Sequence, residues 1–266
     1  MRVIKSLMLA ASMTLVACGG GDDTTSSKQT TSATPATKRD CVLKYGWEPR
    51  QPYQFQLNGQ MQGIDISVFK QAADKAGCDI QYIQKSWSEL LTGVEKGEID
   101  VLGGATATDE RKVYADFSES YRSESFSLFI SADDTYNGDS LSGFLSRANK
   151  VGVTSDYFYG KEVYDLMNHP QYGQLFVDEK SGEQSFFNIL YGRIDGVLSD
   201  PVEGRYIIKR KDLGNKIRES KVNIPSESVS FMFSKKSVTG ERLNTLKANI
   251  KEMADSGKVA EIINSF

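Results

Sequence analysis

From Cys41 onward the hydrophobic positions alternate between short continuous runs and stripes of helical period. The runs CVLKYGW and CDIQYIQ read as strands starting at Cys41 and Cys78. Between them Ile66, Phe69 and Ala73 share one helical face, which predicts a helix capped by Asp65, running through Ala76 and stopped by Gly77. Ser86 and Glu89 form a capping box for a second helix carrying Leu90, Leu91 and Val94 and ending at Gly97. The apolar run IDVLGG then predicts a buried strand.

The same alternation continues after Tyr121. Strands are predicted at FSLFI, KVGVT, QLFVD, DGVLS and SVSFMFSK. Helices are predicted near Leu141–Arg147, from about Ser155 to Asn168, from Ser181 to Tyr191, from Asp200 to Gly214, and at the end of the chain through Leu243, Leu246, Ile250 and Met253. Strands alternating with helices define an α/β protein with mostly parallel sheets. One segment order occurs twice. Gly97-Glu98-Ile99-Asp100 and Gly192-Arg193-Ile194-Asp195 each follow an amphipathic helix and precede an apolar strand and a polar loop. Two lobes of similar design produce such an echo, with Asp100 and Asp195 as structural residues at strand starts. Ligands of open α/β sheets sit beyond the carboxyl ends of strands. The loops at Thr106–Arg111 and at Ser199–Asp200 would therefore face one cleft.

Composition changes this picture little. The 266 residues carry 32 basic and 35 acidic side chains, a formal charge of −3, which argues against a nucleic-acid partner. The lone histidine, His169, precedes Pro170 and there is no Cys-x-x-Cys pair, so neither a metal nor a cofactor is expected. The N-terminus changes the picture more. Arg2 and Lys5 precede an apolar run from Leu7 to Val16, which reads as a signal peptide over residues 1–17. Leu15-Val16-Ala17-Cys18 resembles a bacterial lipobox that would lipidate Cys18; an ordinary secretory signal is the alternative. Residues 18–40 are rich in Gly, Ser and Thr and read as a flexible tether. The starts of adjacent parallel strands lie side by side in a β-α-β unit. A disulfide between Cys41 and Cys78 is therefore sterically reasonable in an exported protein, against two free thiols.

Four stretches, in order, carry a resemblance: YGWEPRQPYQF with GIDISVF, WSELLTGVEKGEID, GATATDERKVYADFSESY, and VGVTSDYFYG with GRIDGVLSD. From about Cys41 to Phe266 the chain resembles the family 3 extracellular solute-binding proteins, amino-acid receptors of bacterial ABC importers. The resemblance implies a two-lobe, type II periplasmic-binding-protein-like fold. Residues 41–122 and 228–266 would form lobe 1 and residues 123–227 lobe 2, with crossings near Tyr121–Ser125 and Ile224–Ser228. It implies a monomer held at the membrane through an N-terminal lipid, closing on an amino acid and handing it to a permease. An enzyme of dehydratase type on the same fold and a ligand-sensing envelope protein are the alternatives.

The resemblance also assigns roles. Arg111 would bind the ligand α-carboxylate, with Thr106 supplementing the grip and Gly104 allowing close approach of the backbone. A surface ion pair of Arg111 with Asp109 or Glu110 is the alternative reading. Asp200 would receive the α-ammonium, although Asp200 followed by Pro201 and Glu203 is also a helix N-cap. Trp47, Tyr53 and Trp87 would wall the cleft, and Ser155 and Tyr157 would open a helix whose free amides share the carboxylate. The chain departs from the family pattern at Arg50, where an aromatic residue is usual, and at Asp156, where glycine is frequent. Glu48, Glu119 and Glu124 are the carboxylates an enzymatic reading would call on.

Overall fold

A computed structural model describes residues 39–266. The residues read above as a signal peptide, the lipidation candidate Cys18 and most of the stretch read as a tether lie outside the described residues. Within them, β1 (Cys41–Trp47) leads through a small hairpin of β2 (Phe55–Leu57) and β3 (Gln60–Gln62) into α1 (Ile64–Lys75). Then follow β4 (Cys78–Gln84), α2 (Trp87–Lys96), β5 (Val101–Ala105), α3 (Asp109–Tyr114) and β6 (Ala115–Phe117). The chain crosses to a second sheet and lays down β7 (Ser125–Ser131), α4 (Leu141–Leu145), β8 (Val151–Thr154), α5 (Lys161–Met167) and β9 (Phe176–Glu179). Next come α6 (Gly182–Leu190), β10 (Gly196–Ser199), α7 (Pro201–Arg210) and β11 (Ile217–Pro225). The chain then returns to the first sheet as β12 (Ser230–Ser234) and ends in α8 (Gly240–Asp255) and α9 (Lys258–Asn264).

The two halves have five-stranded sheets of order β4-β1-β5-β12-β6 and β11-β7-β10-β8-β9. Each sheet is mixed. β1 pairs in parallel with β4 and β5, whereas β12 runs antiparallel to β5 and β6. In the second sheet β8 pairs in parallel with β9 and β10, whereas β7 runs antiparallel to β10 and β11. The pattern led to an expectation of mostly parallel sheets because the strands brought back by the crossings, β12 and β7, carry no sequence mark of direction. Helices cover both faces of each sheet, which is why the central strands read as continuous apolar runs. Along β5, Val101 faces the core with Tyr45, Phe69 and Phe231, while Leu102 faces the opposite one with Leu90 and Met232. In β10, Val197 and Leu198 divide in the same way.

The repeated Gly-x-Ile-Asp is one device used twice. Gly97 and Gly192 turn the chain at positive φ, and Ile99 and Ile194 are buried. Asp100 accepts the Lys44 amide at 2.7 Å and donates its own amide to the Lys44 carbonyl at 2.9 Å. Asp195 does the same with Lys150, at 2.7 and 2.8 Å. Cys41 and Cys78 face each other in the register of β1 and β4, and they form a disulfide.

Four local readings need correction. Gly63, not Asp65, begins α1, at φ 123°. A Cβ there would stand 2.2 Å from the Tyr53 carbonyl oxygen, so only glycine fits, and Asp65 is released for an ion pair described below. No helix opens at Ser155. Its amide continues the sheet by donating to Glu179, and α5 starts only at Lys161, after Gly160. The helix expected to reach Gly214 ends at Arg210, and the last helix breaks in two at Gly257, with φ 79°. β11 escaped notice because it is an edge strand. Only Ile217, Val222 and Ile224 are buried, and its register shifts between Glu219 and Asn223.

Candidate functional site

β5 and β10 both end at the gap between the two halves, and the segments that follow them build the site. Inside it is a cavity of about 20 Å³, room for about one water. The loop after β1 contributes Glu48, Arg50 and Gln54; α2 contributes Trp87. The end of β5 and its exit contribute Gly103, Gly104 and Thr106, and α3 contributes Arg111. Glu124 enters from the crossing, and Tyr157 and Phe158 from the loop after β8.

Arg111 lies in a short helix capped by Thr108, whose hydroxyl accepts its amide. The residue is 6% exposed. Nη1 donates to the Thr106 carbonyl at 3.1 Å and Nη2 to the Asp156 carbonyl at 2.7 Å, and the group sits over the Trp87 ring at 5.4 Å. Among the described residues it makes no salt bridge. The surface pair with Asp109 or Glu110 is therefore not formed; Asp109 binds Lys112 instead. Burial without a carboxylate partner pulls its pKa down from the usual guanidinium value.

The other charges of the gap are satisfied internally. Arg50 is 5% exposed. Its Nε binds Glu203 of α7 at 3.0 Å and its Nη2 binds Glu124 at 2.8 Å, and the guanidinium lies over the rings of Tyr53 and Tyr157. Burial alone would lower this group, but Glu124 and Glu203 hold it well above the usual value. Arg122, in the crossing, makes a two-pronged pair with Asp65 at 3.1 and 3.3 Å and lies 4.0 Å from the centre of the Tyr53 ring. Glu48 accepts the Tyr157 hydroxyl, and burial raises its carboxyl despite that bond. Glu203 is also lifted by burial, to about 7, with Arg50 offsetting part of the effect.

Of the residues singled out in the sequence, Arg111, Thr106, Gly104, Trp87 and Tyr157 line this cavity. Gly104 has φ 71°, and a Cβ on it would stand 2.8 Å from Arg122 Nη2, so the close approach there requires glycine. Asp200 is placed otherwise. Its Oδ1 caps α7 by accepting Val202 and Glu203 amides at 2.9 and 3.1 Å, and its Oδ2 accepts the Tyr53 hydroxyl at 3.0 Å. The Tyr53 ring also meets the guanidiniums of Arg50 and Arg122, at 5.2 and 4.0 Å from its centre. Trp47 lies beside a neighbouring cavity of about 440 Å³ with Glu48, Phe55, Tyr206 and Arg210. Ser155 contributes no free amide, because Glu179 takes it. Asp156 has φ 62°, a left-handed backbone that explains why glycine serves well there and why an aspartate is tolerated.

Sequence reasoning missed Arg122, Asp65 and the cross-gap role of Glu203. The available signal was Arg50, a charge at an aromatic position, which implies buried carboxylates elsewhere. Among the described residues no group of three or more His, Cys, Asp or Glu is arranged to hold a metal, and no helix is long and apolar enough to cross a membrane.

Side chains that join the halves include Arg50 to Glu203, Tyr53 to Asp200, Tyr157 to Glu48, Arg210 to Gln51, and Trp87 and Arg111 to the Asp156 carbonyl. A two-lobe α/β chain with a buried guanidinium facing the gap between the lobes describes a class of binding protein, and the comparisons agree. The model of the bacterial extracellular solute-binding proteins, family 3, matches residues 43–266, and the chain belongs to that family. The arginine-binding extracellular protein ArtP of Bacillus subtilis (strain 168) is 26% identical over 263 residues, covering 96% of this chain and 94% of that protein. Among solved structures, an ancestral arginine-binding protein bound to arginine superposes with a TM-score of 0.73 at 21% identity, over 86% of this chain and 99% of its own. A histidine kinase sensor domain similar to periplasmic binding proteins reaches 0.72 at 19% identity, over 85% and 96%. At those identities the two structures bear on the fold alone.

Proposed function

We propose that this solute-binding protein captures an α-amino acid between its lobes and delivers it to an ABC permease. The observation that carries the reading is Arg111, a buried guanidinium in the inter-lobe cavity whose acceptors are two backbone carbonyls and no carboxylate. A ligand carboxylate supplies the missing anion through two parallel charge-assisted hydrogen bonds, each worth about 1.5–3 kcal/mol. Lysine could not reproduce that fork. Thr106 and Gly104 border the carboxylate, while Trp87 and Tyr157 wall the ligand. Asp200 lies outside the present cavity lining, with about one of its four accepting positions left beside the cap and Tyr53, and it takes the ammonium only once the lobes have parted and re-closed around the ligand.

A cavity with room for about one water cannot admit an amino acid as it stands. The lobes must part and close again. The crossings before β7 and after β11, bridged by Arg122 and Val229, are where that hinge lies. On this reading residues 41–122 with 228–266 and residues 123–227 move as the two bodies. The chain acts outside the cytoplasm as a monomer, tethered by a lipid on Cys18, and it binds without turning its ligand over. A thermal-shift screen of amino acids, polyamines and small carboxylates tests this. An amino acid should raise the melting temperature; stabilisation by polyamines alone contradicts the reading.

A further inference from the structure

We infer that Arg50 restricts the cleft to amino acids whose side chain ends in an uncharged or anionic hydrogen-bond acceptor, a carboxamide or a carboxylate, and that it rejects cationic side chains. This rests on the amino-acid reading above and narrows it. A cationic side chain entering the gap needs buried carboxylates, and Arg50 already holds two of them, Glu124 at 2.8 Å and Glu203 at 3.0 Å. The remaining carboxylate of the cavity wall, Glu48, accepts the Tyr157 hydroxyl. A ligand cation could therefore bind only by expelling a resident one, exchanging one buried ion pair for another with no gain.

The unspent capacity of the site is of the opposite kind. Two nitrogens of Arg50 are engaged with Glu203 and Glu124, and Nη1 takes part in neither bond. That Nη1 lies 3.8 Å, and Arg122 Nη2 2.8 Å, from where a Cβ of Gly104 would stand, so both guanidiniums converge on the one cavity-lining stretch without a side chain. Arg122 itself does not line the cavity, and its buried Nη1 is spent on a 3.6 Å ion pair with Glu124, so the open donor is that of Arg50. An uncommitted Arg50 donor, beside an arginine reserved for the α-carboxylate, fits a ligand with an acceptor at each end.

Calorimetric titration of the full-length chain with glutamine, glutamate, arginine and lysine tests this. Glutamine or glutamate should bind at least ~10-fold more tightly than arginine and lysine, and Arg50→Met should raise the affinity for arginine relative to glutamine by ~10-fold or more. Arginine or lysine bound by the wild type as tightly as glutamine and glutamate overturns the inference while leaving the amino-acid reading intact. If no amino acid binds, that reading fails and the inference falls with it. Should Arg50→Met not fold, as read by circular dichroism, the wild-type ranking decides alone.

Discussion

Arg50 Nε lies 3.0 Å from Glu203 Oε2, so a side chain from the loop after β1 is bonded to helix α7 of the opposite lobe. Through Nη2 the same guanidinium holds Glu124, in the crossing, and one residue thereby joins both lobes and the segment between them. The pair is buried, where removing one partner costs far more than the pair contributes.

That burial gives stability a pH dependence. Glu203 has its carboxyl lifted from 4.5 to about 7 in the fold, by desolvation above all. The native state thus holds a proton that the unfolded chain releases near 4.5. The contribution is fully present below about 4.5 and is lost as pH rises through about 7. Melting temperature should therefore fall between about pH 5 and pH 8, by the equivalent of up to about 3 kcal/mol. Glu203→Gln should flatten the profile in scanning calorimetry; an unchanged slope would assign the titration elsewhere.

The paired aspartates offer a second test. Asp100 accepts the amide of Lys44, within β1, and Asp195 that of Lys150, just before β8, each at 2.7 Å. Replacing Asp100 by alanine leaves a part-buried amide without its acceptor and should cost about 1–3 kcal/mol, whereas at the exposed Asp195 water takes the acceptor's place and the loss should be smaller. Urea unfolding should show the larger loss for Asp100→Ala and the smaller for Asp195→Ala, with ligand affinity unchanged in both. A loss of binding in either would show that these residues do more than hold strand ends.

The disulfide closes a loop of 37 residues, which restricts the unfolded chain and stabilises the fold by about 3–4 kcal/mol. Cys41→Ser with Cys78→Ser should lower the melting temperature under oxidising conditions. In reductant the wild type should fall to meet it. A gap that persists in reductant would mean the serines disturb packing instead.

The strands were legible because sheets covered on both faces write themselves as apolar runs. Cys41–Trp47 and Cys78–Gln84 have the bounds their hydrophobic pattern gives. The capping box of Ser86 and Glu89 and the caps at Ser181 and Asp200 were legible because each is a local contact within three residues. Strand direction, the edge strand β11 and the start of α5 depend on distant partners, and local pattern does not encode them. Arg111, Thr106 and Gly104, which line the cavity, sit together in one short stretch that the sequence pattern exposes. The Arg50, Glu124 and Glu203 cluster was not legible, because its members lie 74 and 153 positions apart. Asp200 was read as both cap and ligand, and its cap is formed.

The account turns on Arg111 as the holder of a ligand carboxylate, and calorimetric titration of Arg111→Ala beside the wild type is its most direct test. Affinity for the stabilising amino acid should drop by ~100-fold or more, since two charge-assisted bonds are lost. The melting temperature of the unliganded variant should stay within a few degrees of the wild type, because Arg111 makes no salt bridge among the described residues. An Arg111→Ala protein that binds the amino acid as tightly as the wild type would contradict the account.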